Sequence, residues 1–74
     1  MSLGLIFGQN VRRYRKARGL SQEALALEAD MKRSYVSDLE RGARNPSLKA
    51  IERLATALNV DPMELLRRRT QGSE

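Results

Sequence analysis

The sequence predicts an all-α fold, a compact bundle of five short helices in one domain. Three observations predict it. Apolar residues recur at three- and four-residue spacing in successive segments, as on helices with one buried face. Serine, aspartate, asparagine and glycine stand where such helices would start and stop. Residues 21–42 read as two short helices joined by a tight turn. A chain of 74 residues holds one modest core, so capping and close helix packing, or a partner subunit, must add to it.

The first helix is expected over residues 5–18, with Phe7, Val11 and Tyr14 on its buried face and Leu20 in the loop beyond. Gly19 supplies a left-handed stop, and the basic last turn suits the negative end of the helix dipole. Residues 1–4 and 70–74 read as flexible termini, leaving 5–69 as the domain. Ser21 caps the second helix, which buries Leu25, Ala26 and Ala29; the two alanines permit a close crossing. Asp30 falls where the chain must turn, and aspartate tolerates the left-handed region better than most residues. Met31 closes that turn as an apolar plug.

The third helix, residues 33–41, turns Val36 and Leu39 inward and ends at Gly42. A polar connection, residues 43–46, leads to Ser47, the cap of a fourth helix with the clearest stripe: Leu48, Ile51, Leu54, Ala55 and Leu58. Asn59 is its left-handed terminator. Asp61, Pro62 and Glu64 fit an N-cap, a first-turn proline and a capping-box carboxylate, with Val60 and Leu65 placed as a hydrophobic staple. The fifth helix is expected to continue to about Arg69.

Composition narrows the function. The chain has no cysteine and no histidine, which removes disulfide scaffolds, thiolate zinc sites and thiol nucleophiles and favours the cytoplasm. No apolar run approaches the roughly 20 residues of a membrane span. There is no glycine-rich phosphate loop, and Glu23, Glu28, Asp30, Asp38 and Glu40 read as helix surface or caps. Neither an enzyme nor a cofactor or metal site is expected. The net charge of +5 favours a polyanionic partner.

Phe7-Gly8, Val11-Arg12, Arg15, Gly19-Leu20-Ser21-Gln22, Leu25-Ala26, Glu40-Arg41-Gly42, Asn45-Pro46-Ser47, Ala57-Leu58-Asn59-Val60 and Leu65-Leu66 stand in a joint order and spacing. In that pattern the chain resembles the phage repressor and Cro family of helix-turn-helix domains, the XRE family, over about Phe7 to Leu66. The resemblance implies a lambda-repressor-like five-helix domain that binds operator DNA, commonly as a homodimer. Two positions depart from the family pattern. Asp30 stands where glycine is usual, which strains the turn, and Lys32 stands where a small hydroxyl cap is usual, which weakens the start of the third helix but sets a cation near the phosphates.

Arg33, Ser34, Tyr35 and Ser37, at the leading end of the third helix, are the candidates for base contact. An arginine there donates two hydrogen bonds to guanine O6 and N7, worth roughly 1–3 kcal/mol of discrimination. The alternative is that Arg33 and Lys32 reach phosphates alone. By resemblance, Gln22 clamps one strand at the start of the second helix, where free N–H groups favour an anion. Lys32, Arg44, Asn45 and Ser47 are further phosphate candidates. Asp38 either accepts from cytosine N4 or orients a neighbouring arginine, and the second is the preferred reading.

Arg15 follows Val11 by four residues and Glu40 follows Val36 by four, so opposite charges sit at the core edges of two helices. They are expected to pair and fix the angle between them, as the family resemblance also implies. Arg12, Arg13, Lys16 and Arg18 read as a solvated or weakly phosphate-steering face, and Arg67 to Arg69 as a charged helix end. Met63 and Leu66, left outward once Leu65 turns in, are the candidate dimer interface. Together these residues predict a sequence-specific transcriptional regulator, repressor-like, that binds double-stranded DNA as a homodimer and has no small-molecule effector domain. The alternative is a protein-interaction module, such as an antitoxin-like subunit.

Overall fold

The computed structural model describes residues 2–69 and contains five helices there: α1 (Leu3–Ala17), α2 (Gln22–Ala29), α3 (Arg33–Glu40), α4 (Leu48–Leu58) and α5 (Pro62–Leu65). The expected terminal segment 70–74, like Met1, lies outside the described residues. No helix among the described residues is long and apolar enough to cross a membrane.

Local chemistry explains most of the boundaries. Ser21 and Ser47 accept from the N–H groups of Ala24 and Ala50, each at 3.0 Å, which satisfies a donor left free at the helix start. Asp30 (φ 57°) and Asn59 (φ 59°) end α2 and α4 in the left-handed region, as their positions predicted. Gly42 (φ 74°) follows α3 for a second reason as well, since a Cβ there would lie 2.2 Å from Leu5 Cδ2. Lys32 caps α3 with no side-chain hydrogen bond.

Three boundaries or faces differ from expectation. α1 begins at Leu3, two residues early, because the Ser2 hydroxyl accepts from Leu5 N–H at 3.2 Å. Residues expected as a loose terminus therefore form the helix's first turn. Leu48, assigned to the buried stripe of α4, is the first residue of that helix and is 84% exposed. α5 stops at Leu65 rather than near Arg69. The segment beyond it is held by the Asn10 side-chain amide, which donates to the carbonyls of Leu65 and Arg67, both at 2.9 Å.

The core forms where the four longer helices meet α5. Phe7, Val11, Leu25, Val36, Leu39, Leu54, Leu58 and Leu65 are almost fully buried. α3 packs against both α1 and α2, α4 against α2 and α5, and α5 returns to α1. The tightest approach is at Gly8. A Cβ on it would lie 2.2 Å from the Leu39 carbonyl oxygen and 2.9 Å from that of Glu40. α1 and the end of α3 thus touch backbone to backbone, and α3 is held from behind.

Candidate nucleic-acid interface

The rigidity of α3 begins with a buried ion pair. Arg15 donates through Nε to Glu40 Oε2 at 2.6 Å and through Nη2 to Oε1 at 3.0 Å, a bidentate arrangement. Its remaining Nη1 donates to the Leu20 carbonyl at 2.8 Å. The two side chains are only 10% and 4% exposed, so neither charge is solvated and each depends on the other. The hydrogen bond to Glu40 pushes the Arg15 pKa above its ordinary value, burial pulls it down, and the charge of Glu40 adds to the rise. The expected pair is present, and through Leu20 it also holds the segment entering α2.

Glu40 has a third partner. Gln22 donates through Nε2 to Glu40 Oε1 at 3.1 Å. Gln22 was expected at a phosphate; one of its amide hydrogens is committed inside the protein, which sets the side chain across the gap between α2 and α3 and leaves its second amide hydrogen for another acceptor. Its pairing was invisible in the sequence because the partner lies eighteen residues away on another helix.

Along α3, Arg33 and Ser34 are exposed, while Tyr35, Ser37 and Asp38 are half-buried. Lys32, Arg44, Asn45 and Ser47, before and after the helix, are all exposed. The Ser47 hydroxyl is occupied as the α4 cap. Arg44 lies over the Tyr35 ring, 5.2 Å from its centroid, so these two candidates form one unit. Asp38 turns to arginines of its own chain. Its Oδ1 accepts from Arg41 Nη2 at 2.5 Å, and its Oδ2 lies 3.8 Å from Arg44 Nε.

Away from this edge, the basic residues expected as a solvated face are partly engaged. Arg18 donates to the Ala57 carbonyl and lies 3.9 Å from Glu28, tying the end of α1 to α2 and α4. Arg13 sits over the Tyr14 ring at 5.2 Å. Glu64 does not close a capping box: Asp61 Oδ1 takes the Met63 N–H at 2.8 Å, and Glu64 accepts from Tyr14 Oη at 3.1 Å and from Arg67 at 2.8 Å. The hydrogen bond from Arg67, then that from Tyr14, lowers the Glu64 pKa. Arg67 is thus an ion-pair partner beyond the helix and not a charged helix end.

Sequence reasoning missed Asn10, a buried polar residue that holds the end of α5 against α1. Its position three residues after Phe7 and four before Tyr14 places it on the inward face, the one signal available. Of the candidate dimer residues, Met63 is 66% exposed and Leu66 is half-buried against the core. They line a mostly apolar groove with Leu48, Ile51 and Pro62, and Lys49 and Glu52 complete its lining.

A short helix with an exposed leading end, preceded by a second helix across a left-handed turn and braced from behind by a third, defines a helix-turn-helix domain. The family model described as helix-turn-helix matches residues 11–65, and the chain belongs to that family, in its XRE type. It is 48% identical over 73 residues to Control protein C.BamHI of Bacillus amyloliquefaciens, covering 97% of this chain and 90% of that protein. Its fold is similar to the crystal structure of the restriction–modification controller protein C.AhdI from Aeromonas hydrophila, with a TM-score of 0.82 and 53% identity over 84% of this chain and 94% of the other. It is also similar to the biofilm regulator SinR, solved in complex with DNA, with a TM-score of 0.79 and 37% identity over 82% of this chain and 98% of the other.

Proposed function

We propose that the protein is a sequence-specific transcriptional regulator that binds operator DNA as a homodimer, each subunit seating α3 in the major groove. The observation that carries this reading is the polar leading edge of α3, exposed at Arg33 and Ser34 and braced behind by Arg15, Glu40 and the Gly8 contact. A reading helix needs that combination, because base recognition depends on donors held in a fixed register. Arg33, Ser34, Tyr35 and Ser37 face base edges in this proposal. Gln22, Lys32, Arg44, Asn45 and the N–H groups at Ser47 hold the two phosphate backbones. The likeness to SinR, whose structure is a DNA complex, supports DNA as the partner.

A controller role in a restriction–modification system is the particular reading we favour. The matches to C.BamHI and C.AhdI span nearly the whole of those proteins, whereas the match to the immunity repressor of Bacillus phage phi105 spans 37% of it. The protein would act in the cytoplasm by binding rather than by catalysis. The dimer contact is assigned to Met63 and Leu66, with the exposed Leu48 beside them, because association would remove this apolar groove from water. With dimerisation coupled to DNA binding, output would follow the protein's own concentration.

Selection of bound sequences from random duplex DNA tests the proposal. The expected product is an inverted repeat with half-sites about 34 Å apart along one face. The double variant Met63→Glu, Leu66→Glu should enrich a single half-site. Absence of any enriched motif for the unaltered protein would reject the regulator reading, and an intact repeat from the double variant would reject the interface.

A further inference from the structure

We propose that Asp38 is a specificity-determining residue that acts through Arg41 and Arg44: it occupies these two arginines as an internal substitute for a phosphate. The inference rests on α3 being the DNA-facing helix and adds a discriminating role that no base contact supplies. Asp38 puts a negative charge on the reading helix of a protein whose net charge is +5. Its two carboxylate oxygens face two different guanidinium groups, at 2.5 Å and 3.8 Å. Carboxylate and phosphate present the same kind of paired oxygen acceptors to arginine, so the two compete for the same donors.

The geometry makes that competition unequal. Residues 35, 38 and 41 follow one another by about one turn of α3, and Arg44 folds back from beyond the helix onto the first two. Arg44 is drawn from two sides, by the Tyr35 ring at 5.2 Å and by the Asp38 carboxylate at 3.8 Å. The longer Asp38 contact is made by its Nε, so the outer nitrogens of Arg44 stay available in one orientation. A phosphate in the register set by a correctly seated α3 meets an arginine already aimed at it and pays little further ordering. A duplex met in another register must first pull the arginines away from the carboxylate. Asp38 therefore weakens binding to arbitrary DNA more than binding to the operator, a form of discrimination by penalising the wrong partner.

Fluorescence anisotropy with Asp38→Asn tests this, using a duplex carrying the selected site and a scrambled duplex of equal length, each at several salt concentrations. The amide keeps the shape and removes the charge, and exposed pairs of this kind contribute little to stability; thermal melts establish that the variant is folded. Affinity for the scrambled duplex is expected to rise about fivefold, while affinity for the selected site changes by less than about twofold. The salt dependence on scrambled DNA should steepen by about one to two phosphate contacts, one for each released arginine. Adding Arg41→Gln and Arg44→Gln to the variant should abolish the gain.

Two results would overturn the proposal. One is no change on scrambled DNA. The other is a loss confined to the selected site that disappears when one C·G pair is replaced, which would make Asp38 a base reader. If the unaltered protein shows no salt-sensitive affinity for either duplex, the DNA-facing reading of α3 falls and this role falls with it. That outcome is visible before any variant is made.

Discussion

Arg15→Met is expected to destabilise the domain by about 3–5 kcal/mol. For a chain of this length, total stability is on the order of 4–11 kcal/mol, so much of the folded population would be lost. The loss has three sources. Glu40, with its side chain 4% exposed, would keep a buried carboxylate with Gln22 as its remaining hydrogen-bond partner. The Leu20 carbonyl would lose the guanidinium that ties the entry of α2 to α1. The crossing of α1 and α3 would lose its bidentate lock.

Replacing both partners separates these terms. Arg15→Met with Glu40→Leu should recover a large part of the loss, since an apolar pair of similar volume carries no stranded charge. Recovery should remain incomplete, because Gln22 and the Leu20 carbonyl would still lack partners. Urea denaturation of the parent, both single variants and the double variant measures the coupling directly. The raised Arg15 pKa also sets a pH window. Stability from this shift is fully present below the ordinary arginine pKa and is lost only as pH rises through the higher folded value.

Gly8→Ala is the second substitution with a large expected effect, and its sign runs against helix propensity. In an exposed helix the change would gain roughly 1 kcal/mol. Here the new Cβ would meet the Leu39 carbonyl oxygen at 2.2 Å and the Glu40 carbonyl oxygen at 2.9 Å. Both are backbone atoms and cannot rotate away, so α1 and α3 must separate. A net loss of at least about 2 kcal/mol is expected, in the range of core overpacking. Gly4→Ala is the control. Its Cβ meets side-chain atoms only, Asn45 Oδ1 at 3.0 Å and Ser2 Oγ at 3.9 Å, and with Asn45 free to turn aside the propensity gain should be largely retained. Thermal melts of the two variants should shift in opposite directions.

The elements legible in the sequence were those specified by neighbours in the chain. Ser21, Ser47 and Asp61 cap within three residues, and Asp30 and Asn59 mark left-handed turns by their own chemistry. The Arg15–Glu40 pair was also legible, because each residue sits at the edge of its own helix's apolar stripe. What escaped was set by partners distant along the chain. Asn10 holds the end of α5 from 55 residues away, and Glu64 is engaged by Tyr14, fifty residues away, as well as by Arg67. The close approach of the end of α3 to Gly8 likewise had no signal among the residues next to that glycine. At the candidate interface, exposure of Arg33 and Ser34 followed from periodicity, whereas the Tyr35–Arg44–Asp38 arrangement depends on how residues beyond α3 fold back.

The most direct test of α3 as a sequence reader is the affinity of Arg33→Ala for a selected site and for scrambled duplex at one salt concentration. Loss of roughly 1–3 kcal/mol on the selected site, with the scrambled duplex almost unaffected, is the expected result. An equal loss on both sequences would make Arg33 a phosphate contact and contradict base reading by the leading edge of α3.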